Sequence, residues 1–118
     1  MLELTKEYLE EIQTLIEEGK ENSLEMHLEE LHETDIALIL NQLRKEDVHY
    51  IYRLLKDNIR PAVLSEVDDE ARDEILRSLS AKEIAADVID GLESDDAADI
   101  IGSLPSDKMM EVMSQAQD

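Results

Sequence analysis

Cysteine, phenylalanine and tryptophan are absent from this chain of 118 residues, and its only aromatic residues besides histidine are Tyr8, Tyr50 and Tyr52. Without cysteine there are no disulfides and no thiolate ligands for zinc, and the composition suits a reducing compartment. Three scattered tyrosines do not make a platform on which unstacked bases can lie. Basic residues are scarce as well: 11 Lys and Arg stand against 31 Asp and Glu, for a formal net charge of −20. A surface of that sign repels phosphate backbones and anionic lipid, which argues against nucleic-acid partners and in favour of cations or basic ones. The longest unbroken apolar run is Ile36 to Leu40, far short of the roughly 20 residues that span a bilayer. The opening MLELTKEYLEE carries no basic-then-apolar signal pattern. This segment is therefore expected to be soluble and not to insert into a membrane itself, with the cytosol as its default location.

The residues that are present recur at helical spacing. In LTKEYLEEIQTLIEEGK, Leu4, Tyr8, Ile12, Leu15 and Ile16 share one face, and Gly19 stands where a helix commonly stops. A second, shorter helix is expected after an Asn22-Ser23 cap. Beyond it an apolar residue marks the end of each unit at Leu31, Leu43, Leu55, Val67, Leu79, Leu92 and Leu104. The spacing is twelve residues, except for one unit of thirteen between Leu79 and Leu92. Each unit opens on polar or capping residues: Ser80 and Glu83 have capping-box spacing, and Pro61 suits the first turn of a helix begun by Asn58. Helices of about ten residues are marginal alone in water, so each must bury its stripe against its neighbours. The expected fold is all-α, a solenoid of short stacked helices, with residues 1–22 forming an N-terminal helix and turn and residues 23–118 the repeat, folded as one unit.

Catalytic constellations are missing. Gly19, Gly91 and Gly102 do not form a phosphate-binding loop, and there is no nucleophile elbow. Stacked short helices also offer little of the sheltered pocket in which carboxylates acquire shifted pKa values, so no enzymatic activity is expected. His27, His32 and His49 lack metal-pair spacing and read as ordinary surface or boundary residues.

The stretch LESDDAADIIGSLPSD is the most concentrated in acid. With Ser94 as N-cap, Ala97, Ile100, Ile101 and Leu104 form an inward stripe. Asp95, Asp99 and Gly102 then lie on the opposite side, with Asp96 and Ala98 at its borders. Asp95 and Asp96 are accounted for by the helix dipole, whereas Asp99 lies beyond the first turn, where that effect fades. In the preceding unit Glu83, Asp87 and Asp90, spaced i, i+4, i+7, are expected to share a second acidic outward face. Carboxylates without histidine or cysteine suit hard cations such as Mg²⁺, which keeps several waters and touches one or two carboxylates. One helix face thus supplies half a site, weak until another acidic surface closes over it.

These units resemble a known family. LHETDIALILNQL is similar to the unit LHPADIAELLEEL, and LESDDAADIIGSLPSD to LDPDDAADLLEELP, of the N-terminal cytoplasmic domain of MgtE-family magnesium transporters. The resemblance covers roughly residues 24 to 114, and DDAAD is its most specific part. It implies a right-handed superhelix of short helices, followed in the parent chain by CBS domains, a connecting helix and a membrane-spanning pore, assembled as a homodimer. It also implies a role for the acidic face: Asp95, Asp96 and Asp99 match the family's motif, in which carboxylates of this domain and of the CBS domains face each other and bind Mg²⁺ between them to favour the closed pore. The isolated domain would bind the ion weakly. One departure is Arg60-Pro61-Ala62-Val63-Leu64, where Ala62 stands at the position of a glutamate ligand in some relatives and Glu66 is a distant substitute. The alternative is a scaffold like the helical stacks of the flagellar motor switch protein FliG, with a protein partner and no metal.

Overall fold

The computed structural model describes residues 5–116, and Leu4 of the first apolar face therefore lies outside the described residues. Among the described residues nine α-helical segments follow one another: α1 (Lys6–Glu17), α2 (Glu21–Glu29), α3 (Glu33–Gln42), α4 (Lys45–Leu54), α5 (Arg60–Glu66), α6 (Asp69–Ser78), α7 (Ala81–Ile84), α8 (Ser94–Gly102) and α9 (Ser106–Ala116). α7 runs without a break into a π-helical turn over Ala85–Ile89. No strand occurs among the described residues, as the sequence leads one to expect.

The twelve-residue rhythm has a plain structural cause. Leu43, Leu55, Val67 and Leu79 are the C-cap residues of α3, α4, α5 and α6, and each is in extended conformation. All four are buried, as are Leu31 and Leu104. One extended apolar residue thus breaks each helix, turns the chain and plugs the junction from inside. Removal of such side chains from water is the main favourable term holding helices this short together.

Packing follows the same rhythm. α3 lies against α5 and α4 against α6, while α7 and its π turn lie against α9. The π turn also touches α8 and α5. α3 and α4 thus rest on the next helix but one, α1 packs on α2 and α8 on the π turn before it, and a continuous core runs from Ile12 through Ile36, Ile51, Leu64, Ile75 and Ile84 to Ile100 and Val112. The radius of gyration, 14.5 Å, slightly exceeds the about 13.5 Å of a compact chain of this length. A stack of short units has that shape.

Local signals explain most helix ends. At the end of α1 the Gly19 N–H donates to Ile16 O (3.1 Å) and the Lys20 N–H to Leu15 O (3.0 Å), a Schellman motif. It requires the left-handed backbone of Gly19, whose φ is 68°. Ser80 and Glu83 make the expected capping box: the Ser80 N–H donates to Glu83 Oε1 (2.9 Å) and the Glu83 N–H to Ser80 Oγ (3.1 Å). Pro61 occupies the first turn of α5, where its missing N–H goes unneeded. The starts of α2 and α5, besides that of α8 described below, differ from expectation. α2 begins at Glu21 with Lys20 as N-cap, ahead of Asn22-Ser23, because the Schellman turn delivers the chain directly into it. α5 is preceded by Ile59, with no side-chain cap from Asn58, since Ile59 packs against the core.

Candidate functional site

α8 builds the acidic face. Its stripe is inward as expected: Ala97, Ile100 and Leu104 are buried and Ile101 half-buried. Asp95, Asp96 and Asp99 are all exposed. Ala98 and Gly102 are exposed beside them, and a Cβ placed on Gly102 would meet nothing within 4 Å. The surface around the carboxylates is therefore low and open. The helix starts one residue earlier than the capping pattern suggests: Glu93 is the N-cap, in extended conformation, without a side-chain cap bond, and Ser94 is the first helical residue. Asp95 and Asp96 still lie in the first turn, at the positive end of the helix dipole.

Cations are in short supply there. Among the described residues the ion pairs are made elsewhere, including Arg53 with Glu83 at 3.0 Å, Lys56 with Glu29 at 3.2 Å and Arg44 with Glu17 at 3.0 Å. Asp95, Asp96 and Asp99 take part in none of them. The donor set is chemically suited to Mg²⁺, all oxygen and all anionic. Among the described residues no group of three or more His, Asp or Glu side chains converges so as to hold a metal, so the structure does not bring Asp95, Asp96 and Asp99 together as a complete ligand set. The histidines lie apart from this face: His27 meets the Tyr8 ring edge-on, His32 is the exposed N-cap of α3 and His49 is half-buried. Ala62 is half-buried on α5, and Glu66 at its end is exposed.

The second acidic face is not there. Asp87 is buried, with 7% of its surface exposed, while Asp90 remains outside. The π turn is the physical reason. It closes with the Asp90 N–H donating to Ala85 O at 3.2 Å, five residues back, so one turn holds more residues than an α-helix and Asp87 leaves the line joining Glu83 and Asp90. Tyr52 Oη donates to Asp87 Oδ2 at 2.8 Å, and Arg60 Nε lies 3.3 Å from the same oxygen. Burial, followed by the Asp87 charge, pushes the Tyr52 hydroxyl far above its ordinary pKa, so the phenol stays a donor. Glu83 pairs with Arg53, and the Ser80 backbone N–H is the first cause that holds its carboxyl below the usual range.

This trio, with Tyr52 and Asp87 buried and Arg60 half-buried, is invisible to a helical-wheel reading. The available signal was the unit length. The one thirteen-residue unit, Leu79 to Leu92, is the unit that contains the π turn. Gly91 closes it: a Cβ there would lie 2.6 Å from Asp87 O and 2.9 Å from Pro61 Cβ, and closer still to Pro61 Cγ.

A comparison with curated proteins found no match. The family model of the MgtE intracellular N domain matches residues 31–118, well over half of the chain, and its start at Leu31 coincides with the first of the plugging apolar residues. On this match, and on an all-helical fold built from the repeat, the chain belongs to the MgtE intracellular N domain family, a regulatory part of MgtE-type transporters.

Proposed function

We propose that this domain senses cytosolic Mg²⁺ through Asp95, Asp96 and Asp99 and, against the CBS domains of the same polypeptide or its dimer mate, favours the closed pore of its transporter. The observation that carries this reading is the exposed face of α8, with its aspartates outside every ion pair of the described residues and bordered by Ala98 and Gly102. A low surface of this kind lets a second acidic surface approach closely. Two anionic surfaces repel each other, so they stay apart unless a cation lies between them. Asp95 and Asp99 then act through differential affinity: they contribute oxygen ligands in the closed arrangement and few in the open one, which is what allows a ligand to shift an equilibrium. Alone, the domain offers one or two carboxylates and gains only slight stability from the ion by mass action.

The test is protease protection of the cytosolic region in the full-length transporter, with Mg²⁺ and with a chelator. Asp95→Asn with Asp99→Asn is expected to raise the Mg²⁺ concentration needed for protection. The substitution also lessens repulsion, and that effect is present in chelator too, so the two conditions separate charge from ligation. Identical Mg²⁺ dependence in mutant and parent would reduce this face to a solvated, dipole-stabilised helix start.

A further inference from the structure

The Tyr52–Asp87–Arg60 trio has no part in the reading above, and its position suggests one. Tyr52 belongs to α4, Arg60 to α5 and Asp87 to the π turn, so one buried carboxylate ties together three separate segments of the stack. Arg60 is itself fixed from two further sides, donating to Leu55 O at 3.1 Å and pairing with Asp57. The turn that Asp87 anchors sits directly upstream of the acidic helix. Only residues 90–93 separate its end at Ile89 from the start of α8 at Ser94. Those four residues have little slack: the Leu92 N–H donates to Val88 O at 3.2 Å, and Gly91 has no room for a methyl group against Pro61.

We propose that Asp87 is a positioning residue, whose bonds to Tyr52 and Arg60 hold the π turn against α4 and α5 and thereby fix the direction in which α8 presents Asp95, Asp96 and Asp99. The inference deepens the sensing role, and rests on it for its functional meaning. The physics is that of winding. An α-helix turns about 100° per residue, so rewinding a π turn as α shifts everything after it by a comparable angle. α8 would then leave its present direction, or Ala97 and Ile100 would leave the core. A π turn is a rare, less favourable form of helix, and something must hold it open. Asp87 does so from the middle of the turn, where its carboxylate accepts from Tyr52 and pairs with Arg60. A buried carboxylate that has lost one of its partners is strongly disfavoured, so the π winding and the bonds of Asp87 stand or fall together. The thirteenth residue of the unit is thus the insertion that lets Asp87 point inward while α8 keeps its stripe in the core.

The experiment is nitrogen-15 NMR of the 118-residue chain, measuring residual dipolar couplings of the α8 amides against an alignment frame fitted to α3 through α6. In the parent, both sets fit one frame. In Asp87→Asn the α8 couplings are expected to lose that common frame while α3 through α6 keep theirs. Asp90→Asn, an exposed carboxylate beside the same turn with the same change of charge, is expected to leave both sets unchanged. Should Asp87→Asn fail to fold, Tyr52→Phe decides by the same criterion, since it keeps the shape and the ion pair and removes only the hydroxyl donor. An α8 that keeps the parent frame in whichever variant folds overturns the proposal. Line broadening by Mn²⁺ at residues 94–102 is read in the parent sample. Its absence there, together with a lost frame in the mutant, leaves the positioning role standing and counts against the carboxylates of α8 as ligands in the free domain; broadening with an unchanged frame keeps the ligands and overturns the positioning role.

Discussion

Replacing Gly91 with alanine sets two physical expectations against each other. Gly91 has no left-handed backbone to protect, since among the described residues only Gly19 has positive φ. Without the tertiary structure, Gly91→Ala therefore reads as stabilising by about 0.4–1 kcal/mol, through loss of freedom in the unfolded chain. The fold argues the opposite. Carbon atoms rest about 3.5–4.0 Å apart, whereas the new Cβ would stand 2.9 Å from Pro61 Cβ and 2.6 Å from Asp87 O. Neither neighbour is the free end of a flexible side chain: one is a buried proline ring and the other a backbone carbonyl in the π turn. Overpacking of this kind costs about 1–3 kcal/mol, and subtracting the unfolded-state gain leaves a net loss of about 1–2 kcal/mol. For a domain of this size that corresponds to a fall in Tm of about 4–8 °C. Thermal unfolding followed by far-UV circular dichroism reads it directly. Gly102→Ala is the control, with nothing within 4 Å of the added methyl group, and its Tm should stay level or rise. In a Pro61→Ala background, where the nearest ring carbon is gone, Gly91→Ala should cost less, a coupling that a double-mutant cycle isolates. A Gly91→Ala chain as stable as the parent would refute the claim that α5 and the π turn close on this residue.

Ile100→Ala, at a site 2% exposed on the inner stripe of α8, should destabilise the chain by about 2–5 kcal/mol in urea unfolding. Asp68→Ala removes the carboxylate that accepts the Ala71 N–H at 2.9 Å at the start of α6, and about 1 kcal/mol is expected to go with it in the same assay. Glu83 has its folded pKa depressed, first by the Ser80 backbone N–H and further by Arg53; its stabilising effect is therefore complete above the unfolded value of about 4.3 and is lost as pH falls through the lower folded value. Glu83→Gln should accordingly flatten the acid limb of a Tm-against-pH profile in that window, and an unchanged limb would show that the capping box is neutral to pH. Asp95→Asn should move Tm by less than the equivalent of about 0.5 kcal/mol, because the side chain is exposed and outside the described ion pairs.

Much of the molecule was legible before folding because its signals are local. The helices from α3 to α8 fall between the apolar residues of the repeat, and α3 to α6 each end on a buried extended residue, a stop that neighbouring residues alone specify. The end of α1 at Gly19, the capping box of Ser80 with Glu83 and the exposure of Asp95 and Asp99 are of the same kind, each settled within one or two turns of chain. The interior fate of Asp87 was not. Helical periodicity put it outside with Glu83 and Asp90, because a wheel assumes one winding throughout. The winding changes at Ala85–Ile89, where Tyr52 and Arg60, 35 and 27 residues earlier in the chain, meet the carboxylate once the layers have stacked. The sequence by itself determined that the chain forms short helices at a fixed spacing and which of their aspartates face solvent on α8. Only the tertiary structure decided which carboxylate went inside, because burying a charge depends on partners that no local pattern can bring within hydrogen-bonding distance.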